Sequence, residues 1–226
     1  ILSNFNIDKI DLSLFKSAFK RRINNEPLAK IFNEKNFWKY NFYVNKNVLD
    51  PRPETELLIE TVEKYFKNKK EKLKFADLGT GSGCLAISLA KEYRNSQFIA
   101  TDISSSALFV AKKNSFTLGV AERIEFICCD WINFKNVFDI IVTNPPYLTD
   151  KEYKNLNHQI KKYEPSISLK GGKNGLVHYK KIASKIAKNI HKKTLIFAEI
   201  GYNQKNDCIK IFHDFGLKCI DIVKDY

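Results

Sequence analysis

Phe75-Ala76-Asp77-Leu78-Gly79-Thr80-Gly81-Ser82-Gly83-Cys84-Leu85-Ala86 is the stretch that decides the fold. An apolar run over 73–78 reads as a strand, glycines alternate through Gly83, and helical spacing follows over 84–94. Glycine at a strand-to-helix turn permits a tight bend and a close backbone approach to a ligand, at the edge where open α/β sheets bind their ligands. A nucleotide-like cofactor is therefore expected at this turn.

Working outward, short apolar runs at 97–101, 124–128, 138–143, 194–200 and 217–223 predict further strands. Helical spacing at 104–118, 176–190 and 203–215 separates them. That alternation predicts βαβ crossovers and an α/β fold, a Rossmann-like, doubly wound and mostly parallel sheet. Upstream, Leu12, Phe15, Phe19 and Ile23 form one helical apolar stripe that Pro27 ends. An aromatic segment leads to Asp50-Pro51-Arg52-Pro53-Glu54-Thr55-Glu56. Pro53 suits a first helical position, and Glu54 and Glu56 suit the positive end of a helix dipole.

The chain has 226 residues, 44% hydrophobic and 13% aromatic, which excludes a disordered tail and a mini-protein. Its net charge of +13 invites a nucleic-acid reading. Arginine, however, occurs only at Arg21, Arg22, Arg52, Arg94 and Arg123. Lysine is a solvated point charge without arginine's bidentate fork, so the excess reads as a lysine-coated surface. Nucleic acid stays open as a partner, through that surface or a fused domain. There is no methionine and the first residue is Ile1, so a segment of a longer chain is expected.

Five cysteines, Cys84, Cys128, Cys129, Cys208 and Cys219, form no C-x-x-C pair, and no charged-then-apolar leader is present. Reduced, mostly buried thiols in a cytoplasmic protein are expected. No apolar stretch is long enough for a bilayer, so no membrane partner is expected. His158, His178, His191 and His213 lie too far apart for a local zinc motif, and no metal is expected.

Charge narrows the cofactor. Residues 75–90 carry no Lys or Arg and one acid, Asp77, and the Gly-Lys-Ser/Thr ending of a P-loop is missing. Gly81-x-Gly83-x-x-Ala86 fits the relaxed dinucleotide fingerprint, with Asp102 at the end of the second strand of the unit. That acid can accept ribose hydroxyls from either NAD or S-adenosylmethionine, so both cofactors remain open here. Asp130 and Trp131 follow the third strand; in a methyltransferase-like site they would face an adenine ring, and otherwise Trp131 is core.

The strand at 138–143 ends in Asn144-Pro145-Pro146-Tyr147. Two prolines remove two backbone donors and push Asn144 and Pro145 toward extended conformations. The loop then offers carbonyl acceptors, one Asn amide and a flat ring. That suits a planar –NH2 substrate: the Asn144 oxygen and the Pro145 carbonyl each accept one N–H, and Tyr147 packs on the π-plane. Catalysis would be mainly positioning, with Asn144, Pro145 and Tyr147 as the catalytic set and the proton leaving during or after methyl transfer.

These residues resemble the HemK/PrmC family of peptide chain release factor glutamine methyltransferases. The resemblance runs through Glu26-Pro27-Leu28-Ala29, Pro51-Arg52-Pro53-Glu54-Thr55-Glu56, the Asp77–Gly83 turn, Asn144–Tyr147, Glu164-Pro165, Gly171-Gly172 with Gly175-Leu176, and Glu199-Ile200-Gly201. It implies a class I S-adenosylmethionine-dependent methyltransferase acting on the amide nitrogen of the glutamine in a Gly-Gly-Gln loop of class 1 release factors. S-adenosyl-L-homocysteine would be the product. By resemblance, Asp77, Gly79, Thr80, Gly81, Ser82, Gly83, Asp102, Asp130, Trp131 and Asn144 would bind the cofactor. Arg52, Pro53, Asn144, Pro145, Pro146 and Tyr147 would bind the substrate.

The implied organisation is 1–36 as the C-terminal part of a helical docking domain, 37–53 as a connecting segment, and 54–226 as the methyltransferase domain without its final strand. Asp50, Asn33 and Asn174 depart from the family pattern. The tetrapeptide alone is shared with methyltransferases of the adenine exocyclic amine in DNA or RNA, which is the alternative. A non-catalytic nucleic-acid or ribosome-binding module and, more remotely, an NAD dehydrogenase complete the set.

Overall fold

A computed structural model describes residues 12–132 and 135–225. Five parallel strands form the central sheet: β3 (Lys74–Leu78), β4 (Gln97–Asp102), β5 (Ile124–Cys128), β6 (Phe138–Thr143) and β7 (Ile190–Ala198). Their spatial order is β5-β4-β3-β6-β7. The order reverses beside β3, so a crevice opens between β3 and β6 at the carboxyl ends of the strands. Register sets its two lips level, because Leu78 pairs with Thr143.

Neighbouring residues such as Ile140 and Ile141 are both fully buried, as a sheet covered on both faces requires. The cover comes from α3 (Glu56–Tyr65), α4 (Cys84–Glu92), α5 (Ser105–Thr117), α6 (Val177–Ile186) and α7 (Lys205–Asp214). One core joins Ile59 and Val62 of α3 to Phe75, Phe98, Ile140 and the α4 aliphatics. In it Phe75 and Phe98 stack at 4.4 Å. Ser104 caps α5 by accepting from the Ala107 N–H.

The N-terminal part holds α1 (Leu12–Ile23), α2 (Leu28–Phe32) and a hairpin of β1 (Glu34–Phe37) with β2 (Tyr40–Tyr43). Phe37 and Phe42 bury themselves in the core that contains α3 and α4, so the segment expected to connect is packed rather than loose. The stripe of α1 forms as a stripe, but Leu12, Phe15, Phe19 and Ile23 stay 56–64% exposed. The beginning of the expected 1–36 segment, residues 1–11, lies outside the described residues.

Two expectations need correction. Residues 217–225 form no strand, and Ile220, Ile222 and Val223 are exposed. Apolar alternation favours a strand only where a ladder receives it, and this segment is tied instead by Asp221, which accepts from Lys64 and Tyr65 of α3. Nor are the thiols mostly buried. Cys129 and Cys208 are, whereas Cys128 and Cys219 are exposed, and none of the five is in a disulfide. No helix among the described residues is long and apolar enough to cross a membrane.

Candidate active site

The lip after β3 is built by backbone. Gly79 sits at φ +78, and a Cβ there would lie 3.0 Å from the indole of Trp131, so both conformation and space call for glycine. The Gly79 and Thr80 N–H groups donate to the Thr101 carbonyl at 2.9 and 2.8 Å. Asp77 is buried beneath the turn, where its Oδ2 accepts from the Thr80 hydroxyl (2.6 Å) and the Ala86 N–H (3.1 Å). Its Oδ1 is buried without a partner. Burial pushes its carboxyl up to about 7, against those two hydrogen bonds, with the Asp102 charge adding to the rise.

Asp102 ends β4 and accepts from the Gly81 N–H and the Ser104 N–H, both at 2.9 Å. Burial raises its pKa as well. Ser82 is held through its carbonyl by the Asn114 amide at 2.8 Å; the same amide group joins the Tyr43 backbone, tying hairpin to turn.

Trp131 has φ +64, a strained conformation for a bulky residue and a mark of functional sites. The strain turns the indole under Gly79, edge-on to His178 at 5.3 Å. Its Nε1 is buried without a partner. Asp130 faces the rim and pairs with Lys185 at 3.1 Å and Lys181 at 3.8 Å. Burial lowers the pKa of His178, which lies 3.0 Å from the Lys170 carbonyl.

The lip after β6 is built by side chains from far away. The Asn144 amide nitrogen donates to Thr55 Oγ1 at 2.8 Å, and Thr55 donates to Glu199 Oε2 at 2.7 Å. The Tyr147 hydroxyl donates to the other oxygen of Glu199 at 3.3 Å. Burial raises the Glu199 pKa against the bonds from Thr55 and Tyr147, with Glu54 nearby raising it further. Burial, then Glu199, lift the Tyr147 hydroxyl to about 12, so Tyr147 stays neutral.

Behind the loop, the Gln204 amide donates to the Tyr147 carbonyl at 2.9 Å and accepts from the Gly201 N–H at 3.1 Å. Gly175, at φ +74, lies so close that a Cβ would run into the Tyr147 carbonyl and Gln204. A Cβ on Gly171 would come within 2.8 Å of the same backbone. Gly171 and Gly175, quoted in the sequence without a role, thus form the cradle of the tetrapeptide.

Arg52 reaches Glu164 at 3.1 Å, and Pro53 opens the short 3-10 turn that carries Thr55. The departure at Asp50 also resolves. Asp50 is buried 2.6 Å from the equally buried Lys30 Nζ, which also lies 3.2 Å from Glu164. An acid at this position is matched by a lysine on α2, the pairing that makes a buried charge tolerable.

The site brings together Asp77, the 79–83 turn, Asp102 and Trp131 on one lip and Asn144–Tyr147 on the other, with Asp130 and Arg52 each held in an ion pair nearby. Thr55, Glu199, Gln204 and Asn114 support these residues. Their signal in the sequence was motif membership only, and Gln204 and Asn114 had none. The donor lip suits a cationic ligand: a buried carboxyl with an orphaned oxygen, a second acid, and no basic residue in 75–90. S-adenosylmethionine, with its ammonium and sulfonium, fits that chemistry better than a phosphate-bearing dinucleotide. Among the described residues no group of three His, Cys, Asp or Glu side chains could share a metal ion.

Residues 45–203 match the methyltransferase small domain family. The chain is 35% identical, over 97% of its length, to a bifunctional methyltransferase of Rickettsia bellii, covering 44% of that protein. It is 34% identical, over 93% of its length, to a release factor glutamine methyltransferase of Agrobacterium fabrum, covering 74% of it. The chain therefore spans less than half the length of the bifunctional relatives it matches. A methyltransferase of Pyrococcus furiosus shares the fold, with a TM-score of 0.58 over 92% of this chain and 91% of that one at 16% identity.

Proposed function

The chain belongs to the release factor glutamine methyltransferase family, and from that premise we propose that it methylates the side-chain amide nitrogen of the glutamine in the Gly-Gly-Gln motif of class 1 peptide chain release factors. The observation that carries the reading is the level pairing of Leu78 with Thr143, which sets an acid-lined glycine turn beside an amide-accepting loop. Asp77, the 79–83 turn, Asp102, Asp130 and Trp131 would hold S-adenosyl-L-methionine, which supplies a methyl group on a cationic sulfur. Asn144 and Pro145 each accept one hydrogen of the substrate –NH2 and aim its nitrogen, while Tyr147 packs on the amide plane. Tyr147, neutral at pH 7, is no base. The amide proton therefore leaves once the nitrogen has gained the methyl and become acidic.

Residues 54–226 would carry the transfer, 37–53 would join it to the rest, and 1–36 would dock the protein substrate, with Arg52 and Pro53 at the junction. The test is mass spectrometry of a purified class 1 release factor after incubation with the protein and donor. One added methyl on the motif glutamine is expected. No methyl there, together with a labelled adenine in DNA or RNA, overturns the reading in favour of adenine-amine methylation.

A further inference from the structure

We propose that Glu199 and Thr55 are positioning residues that fix which way round the Asn144 amide is held, and so make its oxygen the group offered to an acceptor –NH2. The proposal rests on the amide-methylation reading above and deepens it. An Asn side chain is nearly symmetric in shape but opposite in character at its two ends, and only its oxygen can accept from a substrate –NH2. Nothing within the tetrapeptide chooses between the two orientations. The choice is made by a chain of hydrogen bonds that begins at Glu199.

Both Glu199 oxygens act as acceptors, Oε2 from the Thr55 hydroxyl and Oε1 from the Tyr147 hydroxyl. Thr55 Oγ1, at 2.7 Å from Glu199 Oε2, must therefore spend its single proton on Glu199. What remains on Thr55 is a lone pair, facing Asn144 at 2.8 Å. A lone pair can be met only by the NH2 end of the amide. Thr55 is 3% exposed, so bulk water is poorly placed to substitute for the donor. The Asn144 oxygen is then left for the crevice. Tyr147 donates to the second Glu199 oxygen, so one carboxylate sets both polar side chains of the loop. With the amide reversed, NH2 would face NH2, and the nitrogen would lose both a hydrogen bond and its aim.

Thr55→Val is a near-isosteric break in the chain, Glu199→Leu removes the acceptor at its head, and Thr55→Ser restores the hydroxyl. With purified release factor as substrate, both breaks should lower kcat about 10²-fold, as misaimed reactants do. Calorimetric donor affinity should stay within about twofold, the sign that only turnover has moved. Thr55→Ser should recover most of the lost kcat, which a merely structural role for the position would not predict.

A second measurement needs no substrate. In 15N-labelled protein the Asn144 side-chain NH2 should exchange slowly in wild type and Thr55→Ser, and fast in Thr55→Val. Wild-type kcat in Thr55→Val, or unchanged protection of the Asn144 NH2, overturns the proposal. A wild-type protein that methylates no release factor overturns the function reading instead, and amide protection then decides the positioning claim alone.

Discussion

The two lips of the crevice are made differently. The donor lip is local: Thr80 to Asp77 spans three residues, Ala86 to Asp77 nine, and Gly81 to Asp102 twenty-one. Its specificity lies in backbone turns and in room for Trp131 beside Gly79. The acceptor lip is assembled over 89 residues between Asn144 and Thr55 and 144 between Thr55 and Glu199. Its specificity lies in which atom donates and which accepts. The first should fail when volume is added, the second when a hydrogen bond changes direction with volume held constant.

The hardest test of that contrast is Asn144→Ala. Turnover should fall about 10²- to 10³-fold, as on removing a group that acts on the reacting centre, while calorimetry finds donor affinity largely kept. Equal losses in both would mean that the lips are not separable. Next is Gly79→Ala. A left-handed φ costs a residue with a Cβ about 1–2 kcal/mol, so melting should fall by about 2–8 °C, and the displaced Trp131 should weaken donor binding more than kcat.

Third is pH. Asp77 titrates near 7 because of burial, and a cationic donor binds its ionised form, so donor affinity should fall as pH drops below about 7. Stability runs the other way. The folded state holds this proton more tightly than the unfolded one, so the Asp77 contribution to stability declines from the ordinary carboxylate range up to about 7. Asp77→Asn should flatten both profiles, by calorimetry and by thermal melts. The smallest effect is expected at Asp130→Asn. Its partly exposed pair with Lys185 should contribute within about 1 kcal/mol to stability.

The same contrast explains what the sequence disclosed. The sheet was legible because βαβ alternation is a local pattern. The strand expected at 138–143 and the helix start around Pro53 fall where periodicity and proline put them. Asp77, the glycine turn and Asp102 were legible as a unit because they are neighbours in sequence. Asn144–Tyr147 was legible as chemistry, but its supports were not: no periodicity links Thr55 to Glu199 or Gln204 to Tyr147. The strand at 217–223 failed for a related reason, since an apolar run does not say whether a ladder will receive it. Trp131 could be named but not placed, because its left-handed backbone has no signature in residue type.

The pairing of Leu78 with Thr143, reinforced by the Thr143 hydroxyl donating to the Leu78 carbonyl at 2.7 Å, acts as a caliper. The strand ends from which the donor turn and the acceptor loop depart are one interstrand spacing apart, about 4.8 Å, a length that hydrogen bonding leaves almost no freedom to change. The chain leaves β5 on one side of that seam and enters β6 on the other. The length of the connection between them can change without shifting the paired strand ends, because the ladder and not the connection sets their spacing.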